Sequence, residues 1–160
     1  MGGIPQEFGK LCLLQKLTLH DNHLYSEESI SIFGALSNCT NLQTLDLGIN
    51  DLKGDLPGSI GRLSQNLLYL ILYDNRFTGK IPQEMSNLTG LILLDLNDNL
   101  LSGGLPSALG RLSTLQFLNL GGNNLEGNIP YQFSQLKALF ELYLSRNEFT
   151  GEIHDVFASL

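Results

Sequence analysis

Apolar residues recur along the chain in one short phrase, in which alternating leucines are followed by Asn and then by Gly and Pro. Residues 94–106 read LDLNDNLLSGGLP, and residues 45–57, 70–82 and 118–130 repeat the same order of residue types. Side chains at alternate positions of a strand point to opposite faces, so the leucines predict a short strand with one buried face. Counted from its first leucine, the unit begins at Leu14, Leu42, Leu67, Leu91, Leu115 and Leu139. This regular period of 24 to 28 residues predicts a solenoid of stacked coils.

An asparagine follows each predicted strand at the same place in every unit. The column consists of Asn22, Asn50, Asn75, Asn99, Asn123 and Asn147. The chain must turn inside a compact coil there, and its buried backbone groups need hydrogen-bond partners. Because an Asn side chain can both donate and accept, we expect a ladder that bridges the turns of neighbouring coils. A second column, in which we expect backbone angles that other residues avoid, consists of Gly54, Gly79, Gly103, Gly127 and Gly151.

The combined pattern LxxLxLxxNxLxGxIPxxLxxLxx, with Leu and Ile interchanging, resembles the plant-specific leucine-rich repeat. The resemblance covers nearly the whole chain, and residues 35–50 and 59–72 are phrased much like one group of plant immune receptor kinases. It implies an α/β solenoid, a right-handed coil with a parallel β-sheet on the concave face and short strands, 3-10 or helical turns on the convex face. We expect one domain over residues 1–160, with a partial coil at 1–13 before coils that start at residues 14, 42, 67, 91, 115 and 139.

The resemblance is to the extracellular part of receptor-like kinases and receptor-like proteins, in which the strand face is the usual ligand surface. It implies a non-enzymatic module that binds a protein or peptide outside the cell or at its surface, alone or with a co-receptor. Ectodomains of that family are longer and carry paired terminal cysteines, a membrane helix and a kinase, so we expect a fragment or a short relative. Two alternatives stay open, a secreted inhibitor of a cell-wall-degrading enzyme and an ice-binding protein.

Composition and charge narrow the range of functions. The net charge of −7 argues against nucleic-acid binding, which needs a basic surface. No apolar run approaches the roughly 18 residues of a membrane helix. The residues after Met1 have neither the basic start nor the apolar core of a signal peptide. The charged fraction of 16% suits a fold in which every coil needs many inward apolar positions.

The outward positions of the predicted strands are rich in aromatic and acidic residues. They hold six acids and two bases, which accounts for −4 of the total charge. Exposed aromatic residues beside charges are typical of recognition surfaces, although such residues can also serve lateral packing between coils. We therefore expect a ligand site on the third to fifth coils, formed by Tyr69, Ile71, Tyr73, Asp74, Leu93, Asp95, Asn97, Asp98, Phe117 and Asn119. Since we expect no base close to its acids, the site suits a cationic segment with apolar side chains.

No arrangement of residues in the sequence predicts catalysis, a metal site or a cofactor. The outward columns hold no Ser–His–Asp grouping, and the glycines do not form a phosphate-binding loop. His20 and His23 lie on either side of Asn22 and face apart, so we expect solvated histidines and no metal. Cys39 falls in a leucine column and Cys12 in an outward one, so we expect one buried thiol, one exposed thiol and no disulfide.

The first two full coils are longer than the rest. The first has 28 residues, with the extra residues after Leu24. The spacing of Ile30, Phe33 and Leu36 predicts a short helix in that segment. The second coil has one extra residue within the run Ser-Gln-Asn at 64–66, and we expect a small bulge to absorb it.

Asn38 and Asn87 begin the sequons Asn-Cys-Thr and Asn-Leu-Thr, so both are candidate N-glycosylation sites. They share a column with Arg62, Arg111 and Gln135, which is typical of a solvent-facing position.

The two ends of the chain lack cap cysteines, and a terminal coil exposes its neighbour-facing core. The apolar residues concerned are Ile4, Phe8 and Leu11 at one end, and Val156, Phe157 and Leu160 at the other. We expect these ends to fray or to associate with another copy of the chain.

Overall fold

The computed structural model describes residues 4–25 and 31–152. Within these residues the strands are β1 (Lys16–Thr18), β2 (Thr44–Asp46), β3 (Lys53–Asp55), β4 (Tyr69–Ile71), β5 (Arg76–Thr78), β6 (Leu93–Asp95), β7 (Ser102–Gly103), β8 (Phe117–Asn119), β9 (Asn124–Gly127), β10 (Glu141–Tyr143) and β11 (Glu148–Phe149). The helix α1 spans Ser31–Leu36. Short 3-10 helices span Gln6–Lys10, Gly58–Arg62, Gln83–Asn87, Ser107–Arg111 and Tyr131–Gln135.

The largest sheet takes one strand from each coil, in the order β1-β2-β4-β6-β8-β10. Every neighbouring pair is parallel, and the register aligns equivalent residues, so that Leu70 lies between Leu45 and Leu94. These middle leucines are fully buried because they point into the coil, while the residues on either side point outward. The predicted α/β solenoid with a parallel sheet is confirmed. Two smaller parallel sheets, β3-β5 and β7-β9-β11, follow the asparagine turns along one flank.

The opposite side of the coils is built from the 3-10 helices, each with a proline immediately before it. The proline ring fixes φ near the value seen at Pro82, −66°, and so directs the chain into the helix. Neighbouring helices pack closely on one another along the solenoid. Gly61 and Gly110 permit this approach, because a Cβ at either position would collide with the carbonyl oxygen of Glu84 or Gln132 in the next coil.

One continuous apolar core lies between the sheet and the 3-10 helices. Leucines from every central coil contribute to it, together with the fully buried rings of Phe33, Phe77 and Phe133. The core is less well sealed toward the ends, where Phe8 and Leu139 pack against it but stay partly exposed. Burial of each large apolar side chain contributes about 1.5–3 kcal/mol, so the central coils carry most of the hydrophobic stabilisation.

The asparagines behind the strands hydrogen-bond to two coils at once. In the fourth coil, Asn99 Nδ2 donates to Leu72 O of the preceding coil at 3.1 Å and to Leu96 O of its own coil at 3.2 Å. Asn99 Oδ1 accepts the backbone N–H of Phe77 at 3.0 Å. The same contacts to the preceding coil and to their own are made by Asn50, Asn75, Asn123 and Asn147. Each side chain therefore satisfies backbone groups that the turn would otherwise leave unpaired.

The extra residues of the first two full coils are accommodated in different ways. In the first, α1 occupies the place that 3-10 helices fill in later coils, and Phe33 and Leu36 are buried. The predicted short helix is confirmed for these residues, while Ile30 lies outside the described ones. In the second, the buried Ser64 donates to Thr40 O at 2.6 Å and accepts the N–H of Asn66 at 3.0 Å. A turn closed by the Ser64 side chain thus absorbs the extra residue, within the run where a small bulge was expected.

The two cysteines occupy the environments expected for their columns. Cys39 is fully buried, and its thiol donates to Phe8 O at 3.4 Å. Burial raises the pKa of this thiol, which makes it a poor nucleophile. Cys12 is exposed. Across residues 4–25 and 31–152, the helices are all too short to cross a bilayer.

Apolar surface is present at the N-terminal end of the described chain. Ile4 and Phe8 pack partly against the core, whereas Leu11 is 49% exposed and Leu13 is 85% exposed. Self-association through this end stays a prediction. At the other end, Val156, Phe157 and Leu160 lie outside the described residues.

Candidate functional site

The strands bring the residues expected to bind a ligand onto one outward face of the sheet. Pairing of β4, β6 and β8 aligns Tyr69, Leu93 and Phe117 in one row, and Ile71, Asp95 and Asn119 in the next. Neighbouring strands lie about 4.8 Å apart, so the residues of a row are immediate neighbours on the face. The remaining members follow directly after the strands: Tyr73, Asp74, Asn97 and Asp98. Tyr69 is 37% exposed, and most of the others are half-buried.

Tyr73 lies across the position of Gly48 in the preceding coil. A Cβ on Gly48 would come within 2.7 Å of Tyr73 Cε1, so glycine is what leaves room for the ring. The ring centroids of Tyr73 and His20 are 5.8 Å apart, and the Tyr73 hydroxyl is 3.4 Å from His20 Nδ1. His20 Nδ1 in turn lies 3.9 Å from Asp46 Oδ1. The face thus extends back to the first coil, and His20 is a half-buried partner of Tyr73, not the solvated side chain expected from the sequence.

Several negative charges act on the Tyr73 hydroxyl. Burial first, and then the charges of Asp46, Asp95, Asp74 and Asp21, raise the pKa of Tyr73. The pKa of Asp95 is also raised, because burial penalises its charged form and Asp98 adds a nearby negative charge. A hydrogen bond of 3.1 Å from the Asn97 N–H to Asp95 Oδ1 opposes this shift without cancelling it. A cationic group placed here would stabilise the ionised carboxylates.

Asp98 has a basic partner, so the expectation that no base lies close to the acids of the site was wrong. Arg146 Nη2 donates to Asp98 Oδ1 at 3.0 Å, although the two residues are two coils apart. The Arg146 side chain reaches Asp98 across Gly122, where a Cβ would collide with the Asp98 carboxylate. Asn97 Nδ2 donates to the other oxygen of Asp98 at 2.7 Å. The acids around Tyr73 are therefore less compensated than Asp98 is.

Aromatic surface continues beyond the expected site onto the sixth coil. The rings of Phe117 and Tyr143 lie 5.5 Å apart, centroid to centroid. Tyr143 is 47% exposed and Phe140 is 70% exposed. The Tyr143 hydroxyl donates to Glu141 Oε2 at 2.8 Å, and this hydrogen bond raises the pKa of Tyr143. Both aromatic residues stand in outward columns of the sequence, but an expected site of three coils left them out.

The residue before each ladder asparagine has a left-handed backbone. The column consists of Asp21, Ile49, Asp74, Asp98, Gly122 and Arg146, with φ between 49° and 63°. Gly and Asp tolerate this conformation, whereas a β-branched residue in it is an outlier. The neighbouring coil imposes it on Ile49, whose N–H donates to Tyr73 O at 2.9 Å. The sequence marks this turn only in part, because Asp or Gly fills four of the six positions while Ile49 and Arg146 fill the other two.

The sequon asparagines and the second histidine of the first coil are on the surface. Asn38 and Asn87 are both exposed, as are Arg62, Arg111 and Gln135 in the same column. His23 is exposed on the far side of Asn22 from His20. Within the described part of the chain, no group of three His, Cys, Asp or Glu side chains is arranged to hold a metal ion.

Comparisons with known proteins agree with this architecture. The sequence matches the family described as Leucine rich repeat over residues 93–149, and that described as Leucine Rich Repeat over residues 41–63 and 66–88. Receptor kinase-like protein Xa21 of Oryza sativa subsp. japonica is 43% identical over 90 residues, which is 55% of this chain and 9% of Xa21. LRR receptor-like serine/threonine-protein kinase EFR of Arabidopsis thaliana is 42% identical over 84 residues, or 51% of this chain and 8% of EFR. The matched segment spans less than a tenth of these curated relatives.

Solved structures of plant receptors superpose on nearly the whole chain. The crystal structure of a TDR receptor gives a TM-score of 0.89 at 38% identity, over 99% of this chain and 27% of that one. The Arabidopsis receptor kinase HAESA, solved with the peptide hormone IDA and the co-receptor SERK1, gives 0.85 at 34% identity, over 95% of this chain and 25% of HAESA.

Proposed function

Because the chain belongs to the leucine-rich repeat family, we propose that its sheet face binds a peptide or protein ligand as part of a plant receptor ectodomain. Its relatives include receptor kinases and receptor-like proteins. Similar structures include HAESA with the peptide hormone IDA, and the plant peptide hormone receptor RGFR1 with RGF2. This similarity supports a location outside the cell or at its surface. HAESA was solved with a co-receptor as well as a peptide, which supports the same pair of partner classes for this chain.

The observation that carries the proposal is the continuous aromatic and acidic surface on the outward side of the sheet. Tyr69, Tyr73, Phe117 and Tyr143 occupy outward positions on or beside neighbouring coils, where polar residues would serve the scaffold equally well. Aromatic side chains bury a large area with few rotatable bonds, which is why they anchor interfaces. The rough mixture of rings and carboxylates does not favour ice binding, which requires a flat and regular array of small polar groups.

The electrostatics of this face favour a ligand with a positively charged segment. Asp46 and Asp95 are half-buried, and their charges help to raise the pKa of Tyr73. Asp74 follows Tyr73 directly. Asp98 is already paired with Arg146. We therefore propose that a ligand Lys or Arg lies near Tyr73, while apolar ligand side chains pack against Tyr69 and Phe117. The rings supply most of the affinity, and the acids mainly set the association rate and its salt dependence.

A random-peptide selection on the immobilised chain tests the proposal. We expect the selected peptides to be enriched in basic and apolar residues, and to bind more weakly as salt is added. Tyr73→Ala should weaken binding by about 30-fold, which corresponds to about 2 kcal/mol for an aromatic anchor. Asp95→Ala should have a smaller effect, seen mainly in the association rate.

The matched control for that experiment is Tyr131→Ala. Tyr131 is 70% exposed, as Phe140 of the sheet face is, but it opens a 3-10 helix on the other side of the coil. Peptides selected on the parent should bind this variant unchanged. Thermal melting of all three variants separates loss of contact from loss of fold. Equal binding to the parent and to the Tyr73 and Asp95 variants would place the ligand elsewhere and overturn the proposal.

A further inference from the structure

We infer that Asn38 and Asn87 carry N-linked glycans, and that the two glycans cover one flank of the solenoid. The inference rests on the extracellular location given under the proposed function. Both residues begin Asn-x-Thr sequons, with Thr40 and Thr89 at the third position. The structure shows in addition that both asparagines are exposed, that they occupy equivalent positions in their coils, and that they lie on the same flank of the solenoid.

The surroundings of the two asparagines are alike. Asn38 comes two residues after α1, and Asn87 is the last residue of the 3-10 helix Gln83–Asn87. Each is exposed, while the next residue, Cys39 or Leu88, is fully buried and anchors the turn in the core. The side-chain amides of both asparagines make no hydrogen bond to residues of the described ranges, in contrast to those of the ladder. Attaching a sugar therefore disrupts no contact of the fold.

The third residue of each sequon is also exposed, while its backbone is held in place. Ser64 Oγ donates to Thr40 O at 2.6 Å, and Thr114 Oγ1 donates to Thr89 O at 2.8 Å. Both bonds come from the following coil and use the carbonyl groups. They leave the threonine hydroxyls, which a glycosyltransferase must engage, out of the packing between coils.

The column to which the sequons belong lies at the end of the 3-10 helices, or just after α1 in the case of Asn38, and before the main strands. It is therefore on the flank where the chain returns to the sheet, and the small sheets β3-β5 and β7-β9-β11 lie on the flank where the chain leaves it. Asn38 and Asn87 are two coils apart, with Arg62 between them. Branched sugars at this spacing would cover the return flank and leave the sheet face and the opposite flank open to partners.

Two other members of the column are one substitution away from being sequons. Arg111 is followed by Leu112 and Ser113, and Ser113 is exposed. Arg62 is followed by Leu63 and Ser64. Ser64 is only 4% exposed, and its hydroxyl already makes two hydrogen bonds. The two arginines therefore offer a matched pair of new sites in one column, one in an accessible context and one in an occluded context.

The test is the mass of the 160-residue chain made in insect cells behind a cleavable secretory leader, before and after glycosidase treatment. We expect two glycans on the parent, one on Asn38→Gln, one on Asn87→Gln and none on the double variant. Masses are read from cell extract as well as medium, so a variant that fails to fold still reports its glycans. A parent chain without glycan would overturn the inference.

The engineered sites test the column itself. Arg111→Asn should add a third glycan at high occupancy, whereas Arg62→Asn should be modified poorly, because folding sequesters Ser64. Absence of sugar on Arg111→Asn would show that this flank is inaccessible to the glycosyltransferase, and would overturn the proposal that glycans cover it.

The last arm tests the placement of the glycans relative to the binding face. Peptides selected on the chain should bind glycosylated and enzymatically deglycosylated protein equally, since the sugars lie off the sheet face. A difference would overturn the placement. The number of glycans is measured without a ligand, and peptide binding is measured on the deglycosylated protein as well. Failure of one proposal is therefore distinguishable from failure of the other.

Discussion

Asn99 in the fourth coil and Asn22 in the first occupy the same column but have different surroundings. Asn99 is 5% exposed, and its amide bonds both to its own coil and to Leu72 and Phe77 of the coil before it. Asn22 is exposed, and its Nδ2 donates to Leu19 O and to a second carbonyl of its own coil. The same residue is thus a buried bridge in one place and a surface turn in the other. Its contribution comes from coils on both sides that exclude water, not from the side chain alone.

The outward side chains of the sheet face also differ in burial between the central coils and the sixth coil. In the central coils, the outward side chains are half-buried and held by one another, as when Tyr73 lies over Gly48 and beside His20. At the sixth coil, Phe140 is 70% exposed. A pre-organised side chain loses less conformational entropy on binding, so the central coils are the better place for specific contacts.

The largest expected effect is on the asparagine ladder. Asn99→Leu should lower the free energy of unfolding by about 2–4 kcal/mol, because it leaves a buried N–H and several carbonyls without partners, each worth about 1–3 kcal/mol. Asn22→Leu should cost less than about 0.5 kcal/mol, since water can replace the amide there. Urea titration followed by circular dichroism measures both. Equal losses in the two variants would contradict the view that burial by neighbouring coils sets the value of the ladder.

A smaller effect is expected where coils touch through glycine. Gly110→Ala should destabilise the protein by about 1–3 kcal/mol, because the new Cβ collides with Gln132 O. Gly9→Ala creates the same kind of collision with Ala35 O, but the partial coil that holds Gly9 packs on the core less tightly and can shift, so the loss should be smaller. Gly104→Ala is the control, since the nearest backbone oxygen would be 3.8 Å away. Melting temperatures that fall equally for Gly110 and Gly9 would show that the end coil is as rigid as the centre.

The third prediction concerns the strained turn in the second coil. Ile49→Asn should raise the free energy of unfolding by about 1 kcal/mol, because Asn adopts the left-handed backbone more readily than a β-branched residue does. The matched control is Asp74→Asn, in which both residue types suit the turn. A lower melting temperature for Ile49→Asn would mean that packing of the half-buried Ile side chain outweighs the strain.

Much of the fold could be predicted because each column repeats one physical requirement. The Leu columns need burial, the Asn column needs donors and acceptors, and the Gly54 column needs positive φ, which reaches 96° at Gly54 itself. Such requirements leave the same residue type in successive coils and therefore appear as periodicity. Periodicity located the Asn column, whose members hydrogen-bond as a ladder from Asn50 to Asn147. It also located the column of Asn38 and Asn87, which are both exposed.

The details of the sheet face could not be predicted, because they arise from differences between coils. The contact of Arg146 with Asp98 spans two coils and depends on the missing side chain of Gly122. The position of Tyr73 depends in the same way on Gly48. Each depends on a long side chain in one coil and a glycine in the neighbouring coil, and a repeat pattern contains no information about such pairs.

The smallest expected effect concerns the half-buried Asp95 of the central coils. Its pKa is raised in the folded state, so the fold favours the protonated form. The stability that this group contributes is fully present below the ordinary Asp pKa of about 3.9, and it is lost as the pH rises through the raised value. Asp95→Asn should remove that loss while its side-chain oxygen still accepts the Asn97 N–H. We therefore expect parent and variant to be equally stable near pH 3, and the variant to be more stable near pH 7 by a few tenths of a kcal/mol, since solvent screens part of the charge. Urea midpoints at the two pH values measure the difference. A variant less stable than the parent at neutral pH would mean that the ionised carboxylate is held by favourable partners, and the central face would then lack the unpaired negative charge proposed for binding a cationic ligand.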